Sequence, residues 1–508
     1  MIIYLIIMQL STKYKNIIIF TVIFIFATFL SSLIVDYDYD LFARLEVGEC
    51  FVKLHKILKY DIFSYTPTHS WYDHEWGSGV LFYIFKSAFG AFGLILLNGL
   101  LLAITAFVGL KIQEEKKYQL RYPLIFSFIL LSIIFCTDGS LIRCQTISYM
   151  FYVITIFLLE KYKQNESAVS IYILPVVILI WNNFHGGVAT GLGVILIYLF
   201  GFIITHRKLR HLLFSYLISL FVLVINPYGI KFLIYLYYAL TMDRSYIYEW
   251  NSVFHPYIFT QYWMLIVLFC GVLSVKIYND IKNKKFEGID YAVISAMLYM
   301  GCAHIKMLEF STITIFIYCY NDIQKFISSK FTDITEKSIY SLIIVLTLML
   351  PILSPTVPRA TYRLFPLREI EFVKMNNLHG NIFVPFEMGS YASYKLYPNN
   401  LIYMDGRYEE VYQPKVFNDL LDFCNKRDGW EKIFTDYPTE IIIVEKSDPV
   451  YKELNAEQNW HEIYTGSLCG VFVKKENLKK SYKYPTKDIL YYRKNMLKTD
   501  FIKNLEDK

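Results

Sequence analysis

The sequence contains few charged residues. Only 19% of its 508 residues are charged, whereas 55% are hydrophobic. Soluble globular chains are about a quarter charged and less than half apolar, and disordered chains are poorer still in apolar residues. The composition therefore excludes a disordered chain, argues against a wholly soluble enzyme, and predicts many membrane spans.

The sequence also lacks two patterns that would indicate other functions. Its eight cysteines form no CxxC pair, which disfavours a structural zinc site. Cys424 and Cys469 could pair in an extracytoplasmic domain, although burial as small apolar groups is the commoner role. No Lys/Arg run is interleaved with aromatic residues, so the chain does not resemble a nucleic-acid binder.

Apolar runs recur along the first 357 residues. They predict spans near 17–35, 88–110, 122–137, 145–160, 168–184, 187–204, 211–226, 259–276, 289–304, 306–320 and 338–356. With the N-terminus inside, the inner segments hold twice as many Lys and Arg residues as the outer segments before residue 358. This asymmetry follows the positive-inside rule. The predicted topology of about 11 spans then places the C-terminal region outside.

The pattern divides the chain into three regions. Residues 1–357 are predicted to form a transmembrane domain with a long first outer loop over 36–87. From residue 358, short β-rich runs at 381–385, 401–404, 440–444 and 471–473 alternate with helix-like stretches. This alternation predicts an α/β domain over 358–476. A Lys- and Tyr-rich tail follows over 477–508.

Polar residues crowd both ends of the first outer loop. If its start is helical, Asp36, Asp40 and Arg44 share one face, and Asp38 points elsewhere. Carboxylates at a membrane surface suit a general base or a divalent cation that bridges phosphates. A solvated acidic collar is the structural alternative. The loop ends in WYDHEW, where His74 and Glu75 are acid/base or ligand types, or neighbours of an interfacial aromatic anchor.

Further polar clusters recur at the predicted outer ends of spans. They contain Arg143 with Gln145, Asn182 and His185 in WNNFHGG, Asn226 in NPYG, Glu249 with Trp250, and His304 with Lys306. A single Arg or His at a span end usually snorkels or caps a helix. Several clusters on one side predict a polar cavity there. Arg143, His304 and Lys306 could bind a lipid-borne phosphate in it, since Arg suits bidentate phosphate contacts.

The first outer loop resembles that of a family of bacterial multi-spanning membrane proteins similar to the GT-C superfamily of polyprenyl-phosphate-dependent glycosyltransferases. The matching residues are Asp38, Asp40, Leu41, Leu45, Gly48, Asp61, Phe63, Ser64, Tyr65, Thr66, His74, Glu75 and Trp76. WNNFHGG, NPYG, FEMGSYASYKLYP and YMDGRY match later motifs, so the resemblance runs from about residue 36 to 475. Arg44 stands where a His is common, Phe42 and Ala43 replace tryptophans, and Cys144 interrupts an Arg-Pro-Gln motif. The change at position 44 removes a ligand type there.

The resemblance implies an α-helical, polytopic, GT-C-like bundle with an extracytoplasmic α/β domain, in a bacterial cytoplasmic membrane. It implies an inverting glycosyltransferase that moves a sugar from a polyprenyl-phosphate-linked donor to an extracytoplasmic glycan, lipid or protein. Asp38 or Asp40 would be the base or a ligand of a divalent metal cation. The remaining site residues that it implies are Arg143, Lys306 and His304 at the phosphate, His74, Glu75, Asn182 and His185 around the substrate, and Asp405 and Arg407.

The role of one motif pair and the overall function both remain open at this level. Asp405 and Arg407 could contact the acceptor, dock the outer domain on the bundle, or form a plain turn pair. Paired, interrupted helices and polar clusters on both membrane sides would indicate a transporter or flippase of lipid-linked saccharides. The sequence does not show these features. A non-catalytic scaffold for envelope assembly would retain the fold without a working base.

Overall fold

The computed structural model describes residues 12–34, 37–137, 141–166, 168–242, 244, 247–329, 344, 346–347, 349 and 364–485. Asp36, most of the predicted span 338–356 and the tail beyond residue 485 lie outside these ranges. The chain forms two compact units. The first unit comprises residues 1–34 and 95–357, and the second comprises residues 35–94 and 358–508. The first outer loop therefore belongs to the same unit as the C-terminal domain.

Up to residue 329, the described residues are predominantly helical. The helices are α1 Thr12–Ser32, α2 Leu41–Leu54, α3 Trp76–Glu115, α4 Pro123–Cys136, α5 Gln145–Asn165, α6 Ala168–Ile171, α7 Leu174–Phe184, α8 Val188–Ile204, α9 Arg210–Val222, α10 Ile230–Thr241, α11 Pro256–Asn283, α12 Gly288–Ala303 and α13 Leu308–Ser328. Short 3₁₀ turns lie at Tyr248–Trp250 and Ile305–Met307. Helix α3 is interrupted at Gly90, whose φ of 61° and ψ of −153° are not helical.

Among the described helices, α1, α3 and α11 are long and apolar enough to cross a membrane. Six shorter apolar helices coincide with α4, the α6–α7 region, α8, α9, α10 and α12. The prediction of a mostly helical chain is confirmed, whereas the count of eleven spans stays a prediction. Helix α10 falls in a stretch predicted as an outer loop. Its 12 residues are too few for an upright span.

Close contacts and paired polar groups hold the helices of the first unit together. Asn98 Nδ2 of α3 donates to Ser31 Oγ of α1 over 3.1 Å. Beside it, a Cβ on Gly99 would lie 2.4 Å from Thr28 Oγ1, so α1 and α3 approach too closely for a larger side chain. A buried amide is stable in such an interface because its partner satisfies it.

Buried ion pairs tie the helix ends that we predict to face the cytoplasm. Lys116, directly after α3, contacts Asp290 of α12 over 2.8 Å, and Lys163 of α5 contacts the same carboxylate over 3.3 Å. Glu160 of α5 accepts a hydrogen bond from the Tyr198 hydroxyl of α8. Buried charges are tolerated when they are paired. Some of the lysines that indicate topology therefore also connect helices.

The C-terminal part of the second unit is a small mixed α/β domain, as predicted. Its elements are α14 Leu367–Met375, β1 Gly380–Phe383, α15 Gly389–Leu396, β2 Asn400–Ile402, α16 Tyr408–Val411, α17 Pro414–Cys424, α18 Lys432–Asp436, β3 Ile441–Glu445, α19 Pro449–Ala456, β4 Trp460–Thr465 and β5 Cys469–Lys474. The strand order is β2-β1-β3-β5-β4. The β2-β1 and β1-β3 pairs are parallel, and β5 pairs antiparallel with both β3 and β4. The sequence did not indicate β4. Cys424 and Cys469 are both free thiols.

The first outer loop adds to the edge of this sheet. Tyr65 N donates to Ile402 O over 3.1 Å, and Ile402 N donates to Phe63 O over 2.9 Å. Thr66 Oγ1 donates to Tyr403 O over 2.6 Å. Phe63 is buried in the same hydrophobic core as Tyr403. The motif DIFSYT is therefore a docking segment that pairs in parallel with the edge strand β2.

Helix α2 crosses the start of α3 through two glycines. A Cβ on Gly48 would lie 2.1 Å from Gly79 O, and a Cβ on Gly79 would lie 2.6 Å from Arg44 O. Real Cβ atoms do not approach backbone oxygens so closely, so both positions require glycine. Gly48, a residue of the sequence motif, thus has a packing role that positions α2.

Candidate functional site

The two aspartates of the first-loop motif lie at the start of α2. Asp38 O accepts from Leu41 N over 3.3 Å, and Asp40 O accepts from Arg44 N over 3.2 Å. Helix α2 runs from Leu41, and its N-cap residue Asp40 has helical dihedral angles of φ −78° and ψ −17°. Asp40 and Arg44 therefore keep the predicted i, i+4 relation, whereas Asp36 lies outside the described residues. Asp38 is buried, at 5% exposure, whereas Asp40 is exposed.

The Asp40 carboxylate lies against the DGR turn of the C-terminal domain. A Cβ on Gly406 would lie 2.0 Å from Asp40 Oδ1, and a Cβ on Gly389 would lie 2.1 Å from Met404 O. The motifs FEMGSY and YMDGRY therefore pack on each other just beyond the carboxyl ends of β1 and β2. Their glycines leave the space in which Asp40 approaches the turn.

Asp405 and Arg407 form a buried, bidentate pair. Arg407 Nε donates to Asp405 Oδ1 over 2.9 Å, and Nη2 donates to Oδ2 over 2.8 Å. Arg407 Nη1 reaches Asp61 Oδ1 of the first loop over 2.8 Å. Arg407 is 1% exposed and Asp405 is fully buried. Of the roles considered for this pair, the structure shows a turn pair that also fastens the first loop to the outer domain.

His74 and Glu75 belong to a buried group that we call the Arg44 cluster, formed by Arg44, Asp73, His74, Glu75 and Glu410. Arg44 Nη1 lies 2.6 Å from Asp73 Oδ1, Nε lies 3.3 Å from Glu75 Oε2, and Nη2 lies 3.6 Å from Glu410 Oε2. His74 Nδ1 lies 2.9 Å from Glu410 Oε1. The cluster joins α2 and the end of the first loop to α16.

Burial and charge act in opposite directions on the acids and the base of this cluster. Burial raises the pKa of Asp73 to about 6, against the lowering effect of Arg44. Burial lowers the pKa of His74, but Glu410 and Glu75 outweigh it and raise that pKa to about 9. His74 is therefore an imidazolium at neutral pH. Arg44 and His74 lower the pKa of Glu410 in spite of its burial, which keeps that carboxyl ionised.

In the described part of the chain, His74, Glu75 and Glu410 form the one group of three or more His, Cys, Asp or Glu side chains whose ligand atoms lie within 4.8 Å of one another. Asp38 and Asp40 are not members of this group. Imidazole and carboxylate ligands suit zinc and related cations. However, Arg44 places its guanidinium among the same carboxylates and already supplies positive charge to them. The cluster as it stands does not fit a resident metal ion.

Two of the predicted phosphate-binding cations line one cavity of the first unit, which we call the outer pocket. This small cavity is bordered by Arg143, Gln145, Lys306 and Glu309, with Leu141, Thr146 and Tyr149. Arg143 Nη1 also pairs with Glu249. Arg143 and Lys306 are two of the residues predicted to converge on one outer cavity with Asp38, Asp40 and His185, and His185 does not line this one. The binding of phosphate by Arg143 and Lys306 stays a prediction.

An aromatic side chain organises the cations beside the outer pocket. Lys306 Nζ lies 3.7 Å from the ring centroid of Trp250, and the Arg244 guanidinium lies 4.3 Å from it. His304 stacks edge-on against the same ring and its Nδ1 lies 2.8 Å from Trp250 O. Cation–π contacts fix the positions of flexible cationic side chains. His304 thus borders Trp250 and does not line the outer pocket.

The WNNFHGG residues are engaged in helix-end hydrogen bonds. Trp181 Nε1 donates to Ser148 Oγ over 2.7 Å, and Gly187 N donates to His185 Nδ1 over 2.9 Å. His185 Nδ1 is therefore an acceptor, and the Ser148 hydroxyl, 2.7 Å away, donates to it. Asn182 Nδ2 donates to Leu223 O over 3.1 Å. These contacts fasten the ends of α5, α7 and α9, so a substrate role for Asn182 or His185 stays a prediction.

The NPYG motif forms the turn that begins α10. Asn226 Oδ1 accepts from Tyr228 N over 2.8 Å, and Asn226 Nδ2 donates to Leu223 O over 2.7 Å. Gly229 has φ 60° and ψ −139°, a conformation that side chains disfavour. This motif is thus explained by backbone geometry.

Two carboxylates of these sites were missed by the sequence reasoning. Glu410 follows the DGR segment by three residues and accepts from Trp71 Nε1 over 2.7 Å. Glu309 follows Lys306 by three residues, so both fall on one turn of the chain at the outer pocket. A carboxylate three residues from a motif cation was the available signal in both cases.

Comparisons with known proteins bear on the fold. No protein-family model matches the chain, and no curated protein matches it. Among solved structures, it is similar to the apo form of the oligosaccharyltransferase of Archaeoglobus fulgidus, with a TM-score of 0.55, 10% identity, and coverage of 85% of this chain and 70% of that chain. It is also similar to the archaeal oligosaccharyltransferase AglB of Archaeoglobus fulgidus in complex with an inhibitory peptide and a dolichol-phosphate. There the TM-score is 0.53 at 10% identity, covering 94% of this chain and 77% of that chain. At this identity the similarity establishes the fold alone.

Proposed function

We propose that this chain is a membrane glycosyltransferase that transfers a sugar from a polyprenyl-phosphate-linked donor to an extracytoplasmic glycan, lipid or protein. The observation that carries the proposal is the outer pocket, in which Arg143 and Lys306 border one cavity. Two fixed cations beside apolar helices suit a phosphate that arrives on a lipid. The fold is that of oligosaccharyltransferases, one of which was solved with a dolichol-phosphate.

We assign Asp40 the role of general base. Its side chain is exposed, whereas Asp38 is buried at 5% exposure, so Asp40 is the aspartate that an acceptor can reach. Asp40 would accept the proton of the acceptor nucleophile while that atom bonds to the anomeric carbon of the sugar. The bond from this carbon to the phosphate oxygen breaks in the same displacement, which inverts the anomeric configuration.

Arg143 and Lys306 would offset the negative charge that develops on the departing phosphate. The alternative role of these aspartates is to hold a divalent cation, which when bound would supply further positive charge to the phosphate. In that alternative, Asp38 and Asp40 are ligands and Asp40 is not the base. We propose that the protein lies in a bacterial cytoplasmic membrane with its N-terminus inside and residues 358–476 outside. Its partners are then the lipid-linked donor, the membrane lipid and the acceptor.

The test compares the glycans and glycolipids of a deletion strain carrying different forms of the gene. Mass spectrometry should show a missing sugar that the unchanged protein restores and Asp40→Asn does not. Asp428→Asn is the matched control, because Asp428 is an exposed carboxylate outside both candidate sites. Each protein's membrane level is measured alongside.

The competing functions give different results. Full restoration by a double Asp38→Asn and Asp40→Asn protein would show that neither aspartate acts as a base and would favour a scaffold. A deletion strain that accumulates the complete saccharide on its lipid carrier at the inner membrane face would favour a flippase.

A further inference from the structure

The Arg44 cluster holds more carboxylates than permanent cations. Asp73, Glu75 and Glu410 face one guanidinium, and their side chains are 2%, 15% and 4% exposed. Buried carboxylates are costly unless cations compensate them. The cluster is therefore built around positive charge at its centre.

Each nitrogen atom of the guanidinium lies near a different carboxylate. Nη1 donates a hydrogen bond to Asp73 Oδ1 over 2.6 Å, Nε lies 3.3 Å from Glu75 Oε2, and Nη2 lies 3.6 Å from Glu410 Oε2. An arginine side chain is a planar fork that always carries its charge. Two of these carboxylates, Glu75 and Glu410, also lie with His74 in a group whose ligand atoms are within 4.8 Å of one another, so they could hold a cation in place of the guanidinium.

Two further observations concern the charge balance and the ligand atoms of the cluster. The His74 ring contacts both glutamates, with Nε2 3.7 Å from Glu75 Oε1 and Nδ1 2.9 Å from Glu410 Oε1. Asp73 Oδ2 is buried and has no hydrogen-bond partner among the described residues. A buried carboxylate oxygen without a partner is unusual, and it indicates that Arg44 does not satisfy every carboxylate oxygen around it.

We propose that Arg44 takes the place of a divalent cation in this cluster, and that removing its guanidinium converts the cluster into a divalent-cation site. The ligands of that site would be His74, Glu75 and Glu410, a set of one imidazole and two carboxylates whose ligand atoms lie within 4.8 Å of one another. Zinc and manganese are the cations that this ligand chemistry favours. In the unchanged protein, the first loop is held to α16 without metal.

The inference does not rest on the proposed function, because the Arg44 cluster is separate from the group assigned to catalysis. The inference nevertheless constrains the proposed function. Any metal that the unchanged protein requires must bind outside the Arg44 cluster, and Asp38 and Asp40 are the proposed ligands there.

The test uses the full chain, purified in detergent and stripped with EDTA, with the substitution Arg44→His. Histidine removes the permanent charge and adds a ligand. The stripped Arg44→His protein should unfold at a lower temperature than the unchanged protein. Zinc or manganese chloride at about 100 times Kd should then raise its Tm by about 5–10 °C, and should not shift the unchanged protein in this way.

Two control proteins separate this effect from nonspecific metal binding. Arg44→Lys retains a cation and should show no metal-dependent rise in Tm. Arg44→His combined with Glu75→Gln loses a carboxylate ligand and should lose most of the rise. A rise of equal size in both controls would overturn the proposal.

Metal content, measured by mass spectrometry on the purified proteins, tests the claim that the unchanged protein binds no metal at the Arg44 cluster. The unchanged protein should hold no metal that Glu75→Gln removes. Stoichiometric metal lost on Glu75→Gln but retained on Asp40→Asn would overturn the proposal, whereas metal lost only on Asp40→Asn concerns the proposed reaction. If Arg44→His accumulates only in zinc- or manganese-supplemented cultures, the conversion is supported. If it fails to accumulate or to bind metal under all conditions, the conversion is refuted.

Discussion

Removing the charge of Arg407 tests whether the first loop is held to the outer domain by the buried pair. In Arg407→Met, Asp405 and Asp61 lose three hydrogen bonds of 2.8–2.9 Å and remain buried as two uncompensated carboxylates. Breaking a buried pair by removing one partner costs about 3–5 kcal/mol. The guanidinium also lies 5.0 and 4.8 Å from the ring centroids of Phe63 and Trp71, which adds about 1 kcal/mol.

The summed loss of about 5 kcal/mol corresponds to a fall in Tm of about 10–20 °C for a unit of this size. Thermal unfolding of the detergent-purified protein, followed by intrinsic fluorescence, measures it. Limited proteolysis at residues 55–70 provides a second readout, because a detached loop is cleaved faster. Combining Arg407→Met with Asp405→Asn and Asp61→Asn should recover part of the loss, since the buried charges are then absent.

Lys415→Met is the matched control. Lys415 also pairs with two carboxylates, Asp419 at 2.9 Å and Asp436 at 3.1 Å, but its side chain is 61% exposed. Exposed pairs contribute about 0–1 kcal/mol, so this change should leave Tm nearly unaltered. An equal fall in Tm for Arg407→Met and Lys415→Met would refute the reasoning, as would a triple variant no more stable than Arg407→Met alone.

Two further predictions concern the second unit, one about Gly406 and one about the protonation of His74. Gly406→Ala should lower Tm and glycan output together, because the new Cβ would lie 2.0 Å from Asp40 Oδ1; Gly193→Ala, in open space on a helix, should do neither. Burial lowers the pKa of His74, but Glu410 and its neighbours raise it from 6.5 to about 9. The imidazolium's stabilisation is therefore complete below pH 6.5 and is lost as pH rises through 9. Tm of the unchanged protein should fall across that window, and an equally steep fall in His74→Gln would contradict the assignment.

The elements were predictable where a local pattern specifies them. Long apolar runs are typical of membrane helices, and short β-rich runs beside helix-like stretches are typical of an α/β domain. Helix α2 shows both the success and the limit of this reasoning. The carbonyl of its N-cap Asp40 accepts the i, i+4 hydrogen bond from Arg44 N, as the spacing predicted. The spacing did not specify where the helix begins, and Asp38 lies before it, in a turn closed by Leu41 N.

The long-range partners were not predictable. The DIFSYT motif was visible, but its pairing with β2 depends on backbone groups more than 300 residues away. The Arg44 cluster depends in the same way on Glu410. The sequence around a carboxylate does not indicate which distant cation it pairs with, because tertiary packing determines the partner.

Packing accounts for much of the sequence resemblance and thereby narrows the candidates for chemistry. Gly48 permits a helix crossing, Gly406 admits Asp40, and Arg407 fastens the loop. Once these residues have a structural role, their presence in the motifs no longer argues for a catalytic one. Asp40, Arg143 and Lys306 differ, because the first is exposed and the other two border the outer pocket. The case for a glycosyltransferase therefore depends on these three side chains, and substitutions there test the function more directly than substitutions elsewhere in the motifs.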